Sequence, residues 1–444
     1  MVSEEKAAPR EDADPGADPE AGPALTRRQL TALVVARAAS SAGFFAVLPY
    51  LGLWLTDDRG LSGAAAGLVV GGSILANRAG GALLVPLIHR LGLKTSVGAG
   101  YLGAVAVFAV LGLGLTLSTY GWLVLAALVG LCLAMATTAM KAQVAAFPAD
   151  QRLRGFGYLN MAVNAGSAVG PVIGGQLLEW HADRLPLSAA LLDLVALAVV
   201  PALPGAWGAS GRTGAAAPAS ATRGRRVPGR RFVAFTVLVC GTWVAYAQVF
   251  DVLPAYLGDA VGARDLGLVF TLNAVLVVAL QVPVSALSRR LLDGPRAGFG
   301  PLCLAANAVL GLAVVLFALG RSAGLGLIVA AMVLFTLSEL VWSPLYDTRV
   351  GEHRGELSTT AAYALAGVAW GTAESAGAWL GTLLVVHRSG QDAPTGTAAL
   401  PYWGGAALAL LTGLALSRGG RVSSERPRGG QEGNVHDVDV SART

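Results

Sequence analysis

The chain has 444 residues, 54% of them hydrophobic and only 13% charged, with a formal net charge of +5. A soluble domain carries about 25% charged residues, so this composition excludes a soluble enzyme, a nucleic-acid-binding protein and a disordered scaffold. It describes an integral membrane protein. The three cysteines, Cys132, Cys240 and Cys303, lie in apolar runs without disulfide or metal-site spacing, and the five histidines form no HxxxH pair. Only 3 of the 32 basic residues are lysine, and alanine, glycine and arginine abound, as expected of a GC-rich bacterial genome.

A transmembrane helix needs about 20 mainly apolar residues. In chain order the sequence offers twelve such runs, at about 30–56, 62–88, 95–117, 120–146, 155–180, 186–205, 232–257, 265–288, 298–320, 322–346, 358–387 and 398–417. The cations sit in alternate links. Arg27 and Arg28, Arg90 and Lys94, Arg152 and Arg154, Arg289, Arg290 and Arg296, Arg349 and Arg354, and Arg418 fall on one side, with Arg212 to Arg231 in the link after the sixth run. The opposite links hold Arg59, Arg184, Arg264, Arg321 and Arg388. Positive charge stays cytoplasmic, so both termini and the central link are expected inside a multi-pass protein of the bacterial plasma membrane. The basic clusters then serve topology and anionic lipid, and no nucleic-acid partner is expected.

Residues 1–29 read as a disordered, acidic and Pro-rich cytoplasmic tail, and 418–444 as a second disordered tail. The stretch 206–231 is a basic cytoplasmic linker without an apolar run. It divides the spans into an N-terminal six-helix half, 30–205, and a C-terminal six-helix half, 232–417. The expected fold is an all-α integral membrane protein of 12 transmembrane helices, two parallel repeats, each a 3+3 inverted repeat.

In the fifth run Gly157, Gly166, Gly170-Pro171 and Gly174-Gly175 follow the spacing Gly, eight residues, Gly, three residues, Gly-Pro, two residues, Gly-Gly. That is the antiporter motif of the major facilitator superfamily, which the chain resembles from Leu30 to Ser417. The resemblance implies a proton-linked exporter, working as a monomer on a small organic substrate, with the proton gradient as its energy source and no cofactor. Physically, Gly166, Gly170 and Gly174 form one small-residue ridge that lets two backbones approach in lipid, and Pro171 removes a backbone donor. The ridge is expected at the seam between the halves. After the second run the superfamily has Gly-x-Leu-Ala-Asp-Arg-x-Gly-Arg-Lys. Here Leu87, Arg90, Gly92 and Lys94 match, while His89 replaces the acid and Val85 the first glycine. In the family that acid helps hold the inner gate, so His89, Arg90 and Lys94 are gating candidates. The fourth run has no arginine at the place where proton-coupled drug exporters often carry one.

Arg37, Arg78, Lys141, Asp193, Asp251, Glu339 and Glu374 lie within or near the spans. An isolated charge at the bilayer centre costs roughly 2.5–3.5 kcal/mol, which makes each a functional candidate unless paired. A buried carboxylate can escape the cost by taking up a proton, which is what proton coupling requires. Glu374, near mid-depth, is the leading proton carrier, with Asp251 and Glu339 as further candidates. Arg37 is expected to pair with Glu339 across the halves as an inner gate, or else as a structural pair. Arg78 is expected to bind an anionic substrate or to neutralise Glu339 or Glu374. Asp193 is expected to reach the interface or to cap a neighbour, and Lys141 to extend to the cytoplasmic surface. Asn160, Asn164, Trp243, Tyr246, Gln248, Asn273, Gln281 and Trp370 line the expected substrate cavity, a mixture of amides and aromatics suited to amphipathic molecules such as a drug, an antibiotic or a secondary metabolite.

The alternative is a proton-coupled uptake permease for a nutrient such as a sugar, which shares the fold but not the fifth-helix motif. A membrane enzyme, such as an acyl or glycosyl transferase, would need a catalytic cluster, metal spacing or phosphate loop. The sequence has none, so no catalytic or metal residues are assigned.

Overall fold

The computed structural model describes residues 26–203, 227–257, 260–261, 263–293, 298–386 and 397–419. The tails up to residue 25 and beyond 419, and the linker up to residue 226, lie outside the described residues.

In hydrocarbon every backbone N–H and C=O must bond within its own segment, so continuous apolar runs become helices. Among the described residues twelve long helices form: α1 (Arg27–Leu53), α2 (Gly63–Leu91), α3 (Leu93–Leu111), α4 (Thr119–Ala145), α5 (Ala149–His181), α6 (Leu185–Val199), α7 (Arg230–Ala247), α8 (Ala263–Asp293), α9 (Phe299–Ala323), α10 (Leu325–His353), α11 (Thr359–Val386) and α12 (Leu400–Gly419). No strand occurs among the described residues. Ten of the twelve have the length and hydropathy to cross a bilayer. The other two, α5 and α11, are long enough but rich in glycine, alanine and polar side chains.

Local chemistry sets the ends. A capping box starts α1, with Thr26 Oγ1 accepting from the Gln29 N–H and Gln29 Oε1 from the Thr26 N–H. That places the helix start at Arg27, three residues ahead of the expected Leu30. Ser62 and Ser118 cap α2 and α4. Gly92, at φ +80°, turns the chain from α2 into α3 with one residue, a conformation open to glycine. The first helix of each half carries a π-helical turn, Trp54–Asp58 after α1 and Gln248–Val252 after α7, which sequence periodicity does not reveal.

The chain direction alternates, so the basic links gather at one end of the bundle, the basic end. Within the N-terminal half α1 packs on α5 and α6, and α2 and α3 on α4; in the C-terminal half α9 packs on α10 and α12, and α7 on α11 and α12. The halves meet where α5 packs on α8 and α10, and where α2 and α4 pack on α11. One apolar core runs through both halves and includes the basic-end residues Leu33, Ile88, Phe147, Phe156, Tyr346 and Tyr363. A second core, around Val47, Trp54, Val69, Phe108 and Trp122, belongs to the N-terminal half alone, at the opposite end.

The glycine ridge of α5 does not lie on the seam. A Cβ on Gly166 would stand 2.5 Å from Ser41 Cβ, and one on Gly170 2.5 Å from the Ala42 carbonyl, both on α1. The ridge therefore locks two helices of the same half. The reason is geometric: the ridge occupies one face of α5, and the adjacent face, with Gly157, Asn160 and Asn164, is the one turned to the other half.

Candidate functional site at the seam

Polar side chains of three helices meet at the seam, α5 from the N-terminal half and α8 and α10 from the C-terminal half. On α10, Glu339, Ser343 and Asp347 recur every four residues and so share a face. On α5, Asn160 and Asn164 do the same. Asn164 Nδ2 donates to Glu339 Oε1 at 3.1 Å, and Ser343 Oγ donates to Asn160 Oδ1 at 3.2 Å. From α8, Asn273 Nδ2 donates to Glu339 Oε2 at 3.0 Å, and Gln281 accepts from Asn160 Nδ2 at 2.8 Å while donating to the Leu340 carbonyl. A Cβ on Gly157 would meet Ser285 Oγ at 2.6 Å, so glycine there permits the close approach of α5 and α8. Glu339 is buried, 5% exposed, and each of its oxygens is met by an asparagine donor.

The expected Arg37–Glu339 pair is not made. Arg37 Nη1 donates to Thr137 Oγ1 on α4 at 2.9 Å, and Glu339 takes its donors from amides. Arg37 sits on α1, which packs against α5 and α6 of its own half, so α5 stands between it and the face of α10 that carries Glu339.

Among the described residues two ion pairs join the halves. Arg78 Nη2, on α2, lies 2.8 Å from Glu374 Oε2 and 2.9 Å from Oε1 on α11. Of the expected partners for Arg78, the structure brings Glu374. Lys141 Nζ, on α4, lies 2.8 Å from Asp347 Oδ1 on α10. Lys141 therefore does not extend to the surface as its sequence position suggests. Asp347 escapes the sequence reading because the tenth apolar run ends at Tyr346, whereas α10 continues to His353. The four-residue repeat from Glu339 through Ser343 is the signal that leads to it.

Trp370 stands between the two pairs. The Arg78 guanidinium carbon is 4.5 Å and Lys141 Nζ 5.3 Å from its ring centroid, and Trp243 stacks on it at 4.2 Å with 15° between the rings. Cation–π contacts of this kind contribute about 0.5–2 kcal/mol, more where desolvated. Trp243 and Tyr246 are buried against Tyr346 and Phe335. Gln248 Nε2 donates to the Val244 and Gly377 carbonyls and ties α7 to α11. The amides expected to line a cavity are thus engaged with one another and with backbone. Asp251, in the π-helical turn of α7, is exposed, and its charged neighbours are Glu374 and Arg78.

The remaining candidates lie elsewhere. His89 and Arg90 are exposed at the end of α2. Lys94 Nζ donates to the Pro201 and Leu203 carbonyls at 2.8 and 2.7 Å, capping the end that follows α6 rather than facing the other half. Asp193 does not reach an interface: it is fully buried, with Arg37 and Ser40 of α1 facing it, because α6 turns this side toward α1. Among the described residues no group of His, Cys, Asp and Glu has metal-site geometry. Pro171 sits inside α5, and its carbonyl accepts from Tyr50 Oη at 2.8 Å, while a Cβ on Gly175 would stand 2.9 Å from the same Oη.

A sequence profile of the Major Facilitator Superfamily matches residues 33–378. The chain is 26% identical over 319 residues to the uncharacterized MFS-type transporter YqjV of Bacillus subtilis (strain 168), covering 69% of this chain and 74% of that protein. It is also 26% identical over 252 residues to the multidrug resistance protein MdtH of Shigella dysenteriae serotype 1, covering 56% of this chain and 61% of MdtH. Among solved structures it resembles the human organic anion transporter MFSD10 (TETRAN), with a TM-score of 0.64 at 17% identity over 90% of this chain and 100% of the other. The peptide transporter POT in complex with alafosfalin gives 0.63 at 17% identity, over 89% and 95%.

Proposed function

The chain belongs to the major facilitator superfamily, and on that premise we propose that it exports a small organic molecule in exchange for protons, with Glu374 as the proton carrier. The observation that carries this reading is the Arg78–Glu374 pair, a carboxylate at mid-depth that helps hold the two halves together. A proton on Glu374 removes the charge that Arg78 is paired with, so protonation and the joining of the halves compete for one side chain. Alternating access needs such a linkage, because a ligand shifts a conformational equilibrium only through different affinities for the two states. The exposed Asp251 nearby offers a second carboxylate for the proton or the substrate.

Export is supported by the antiporter motif of α5 and by the likeness to proteins named for multidrug resistance. Positive charge at the basic end supports a plasma-membrane protein with that end in the cytoplasm. On this orientation the present form is closed toward the cytoplasm, ready to release substrate outside and take up a proton. In this reading the protein only transports. It catalyses no reaction, needs no cofactor and draws on the proton gradient.

The test is proton flux in inside-out vesicles, read by a pH-sensitive dye as a panel of amphipathic compounds is added. Compound-dependent proton efflux is expected, and it should disappear in Glu374→Gln. Efflux that persists unchanged in this variant rejects Glu374 as carrier. Compound accumulation in the uptake direction, driven by the proton gradient, rejects export.

A further inference from the structure

Among the described residues two ion pairs cross the seam, and the proton reading uses one of them. The other, Lys141–Asp347, lies nearer the basic end, and its side chains are 20% and 10% exposed. Around it the halves are close. A Cβ on Gly351 of α10 would stand 3.7 Å from Ala145 Cβ of α4, and the Phe156 and Tyr363 rings of α5 and α11 are 5.7 Å apart. Tyr363 Oη donates to the Asp347 carbonyl at 2.6 Å, fixing the backbone that presents the carboxylate.

We propose that Lys141 and Asp347 form the latch that closes the basic end, and that Trp370 transmits to this latch the state of the Arg78–Glu374 pair. The ring carries both cations, Arg78 at 4.5 Å and Lys141 at 5.3 Å. While Glu374 is charged, Arg78 is neutralised and the indole is shared at little cost. With a proton on Glu374, an unbalanced guanidinium remains on the ring that also steadies Lys141. Like charges in a site of low dielectric repel, so Lys141 is driven off the indole and its grip on Asp347 weakens. The groups that face Glu374 are Arg78 from α2 and Asp251 from α7, with Lys141 of α4 and Asp347 of α10 beyond Trp370. Lys141, Asp347 and Trp370 are positioning residues: they act on which end opens, through Arg78 and through each other, and not on the proton. The latch stands on its own geometry, while its response to protons rests on Glu374 as carrier.

The test uses the full chain in lipid vesicles, with Cys132, Cys240 and Cys303 replaced and spin labels at Thr95→Cys and Leu291→Cys. These positions are exposed at the basic end, on opposite halves. Pulsed electron resonance reads the distance between them at neutral and acidic pH. The wild-type background is expected to show the short distance at neutral pH and at least a fivefold larger long-distance population in acid. Lys141→Met and Asp347→Asn should show the long distance at both, Lys141→Arg should retain the short one, and the exchange Lys141→Asp with Asp347→Lys should restore it. Trp370→Leu should keep the short distance at neutral pH and lose the response to acid. A short distance in Lys141→Met overturns the latch, and an intact acid response in Trp370→Leu overturns the transmission. If acid leaves the background unchanged while Lys141→Met opens it, the carrier reading and the transmission fall together and the latch stands.

Discussion

The two halves share one plan of six helices and carry opposite charge to the seam. The N-terminal half contributes Arg78 and Lys141, with Arg37 behind them, and the C-terminal half contributes Asp251, Glu339, Asp347 and Glu374. Inside the N-terminal half α1 and α5 pack through small residues, whereas the halves meet through ion pairs, amides and cation–π contacts to one indole. The difference separates two roles. In the proposed cycle the α1–α5 contact stays together, while the polar contacts at the seam part when a proton is taken up.

Locking the seam is expected to have the largest effect. Cysteines at Ala145 and Gly351 would have Cβ atoms near 3.7 Å apart, inside the range of about 3.5–4.5 Å for a disulfide. In a background without the native cysteines, oxidation should bring transport to the level of empty vesicles, and reduction should restore it. Normal transport with the disulfide formed would mean that α4 and α10 do not part, and the division between permanent and opening contacts would be lost.

Next come substitutions within a half. Gly170→Leu forces a side chain into the α1 backbone, where a Cβ alone would meet the Ala42 carbonyl at 2.5 Å. Overpacking of this kind costs about 1–3 kcal/mol and occasionally more. Thermal unfolding in detergent should fall clearly. Gly371→Ala places its Cβ 2.6 Å from Arg78 Cβ, across the seam. There α11 can move off α2, so the expected change is in the population of open and closed forms, with a smaller fall in unfolding temperature. Equal losses of stability in the two variants would erase the distinction.

Of similar size in stability is Asn273→Ala. It removes one of the two asparagine donors to Glu339, and a hydrogen bond to a charged group is worth about 1.5–3 kcal/mol. Glu339→Gln, measured by the same unfolding assay, should lose less, since the amide keeps an oxygen for one asparagine and carries no charge to leave unmatched.

How far these features are visible in the sequence follows the same division. Each of the twelve apolar runs overlaps one of the twelve helices, because hydropathy and length decide spans in lipid whatever the neighbours are, although ends such as that of α10 differ by several residues. The small-residue ridge on α5 is equally plain, but its partner is not: a ridge shows that a helix will be approached closely, and only the fold shows that α1 approaches it. The seam is half legible. Glu374, Arg78, Glu339, Asn160, Asn164 and Asn273 stand out as polar groups in apolar runs, but which charge meets which depends on rotations of a few tens of degrees between helices. Asp347 is lost to a span boundary, and the role of Lys141 with it. The π-helical turn at Gln248–Val252, which sets the position of Asp251, leaves no periodic trace.

The smallest effect is expected at His89, and it tests the charge division most directly. In the superfamily pattern this position is acidic and belongs to the inner gate; here it is an exposed histidine beside Arg90, at the end of α2. His89→Asp would add a carboxylate to the half that supplies cations. An exposed charge is screened and gains little from a partner, about 0–1 kcal/mol. With Lys141–Asp347 already closing the basic end, the variant should transport within about fivefold of the parent, since about 1.4 kcal/mol is a factor of ten in an equilibrium and this gain is at most about 1 kcal/mol. The distance between labels at positions 95 and 291 should not change. An effect on that distance larger than that of Lys141→Met would move the gate from the α4–α10 pair to the loop after α2, and the seam would then close by the loop contact rather than by the meeting of a basic half with an acidic one.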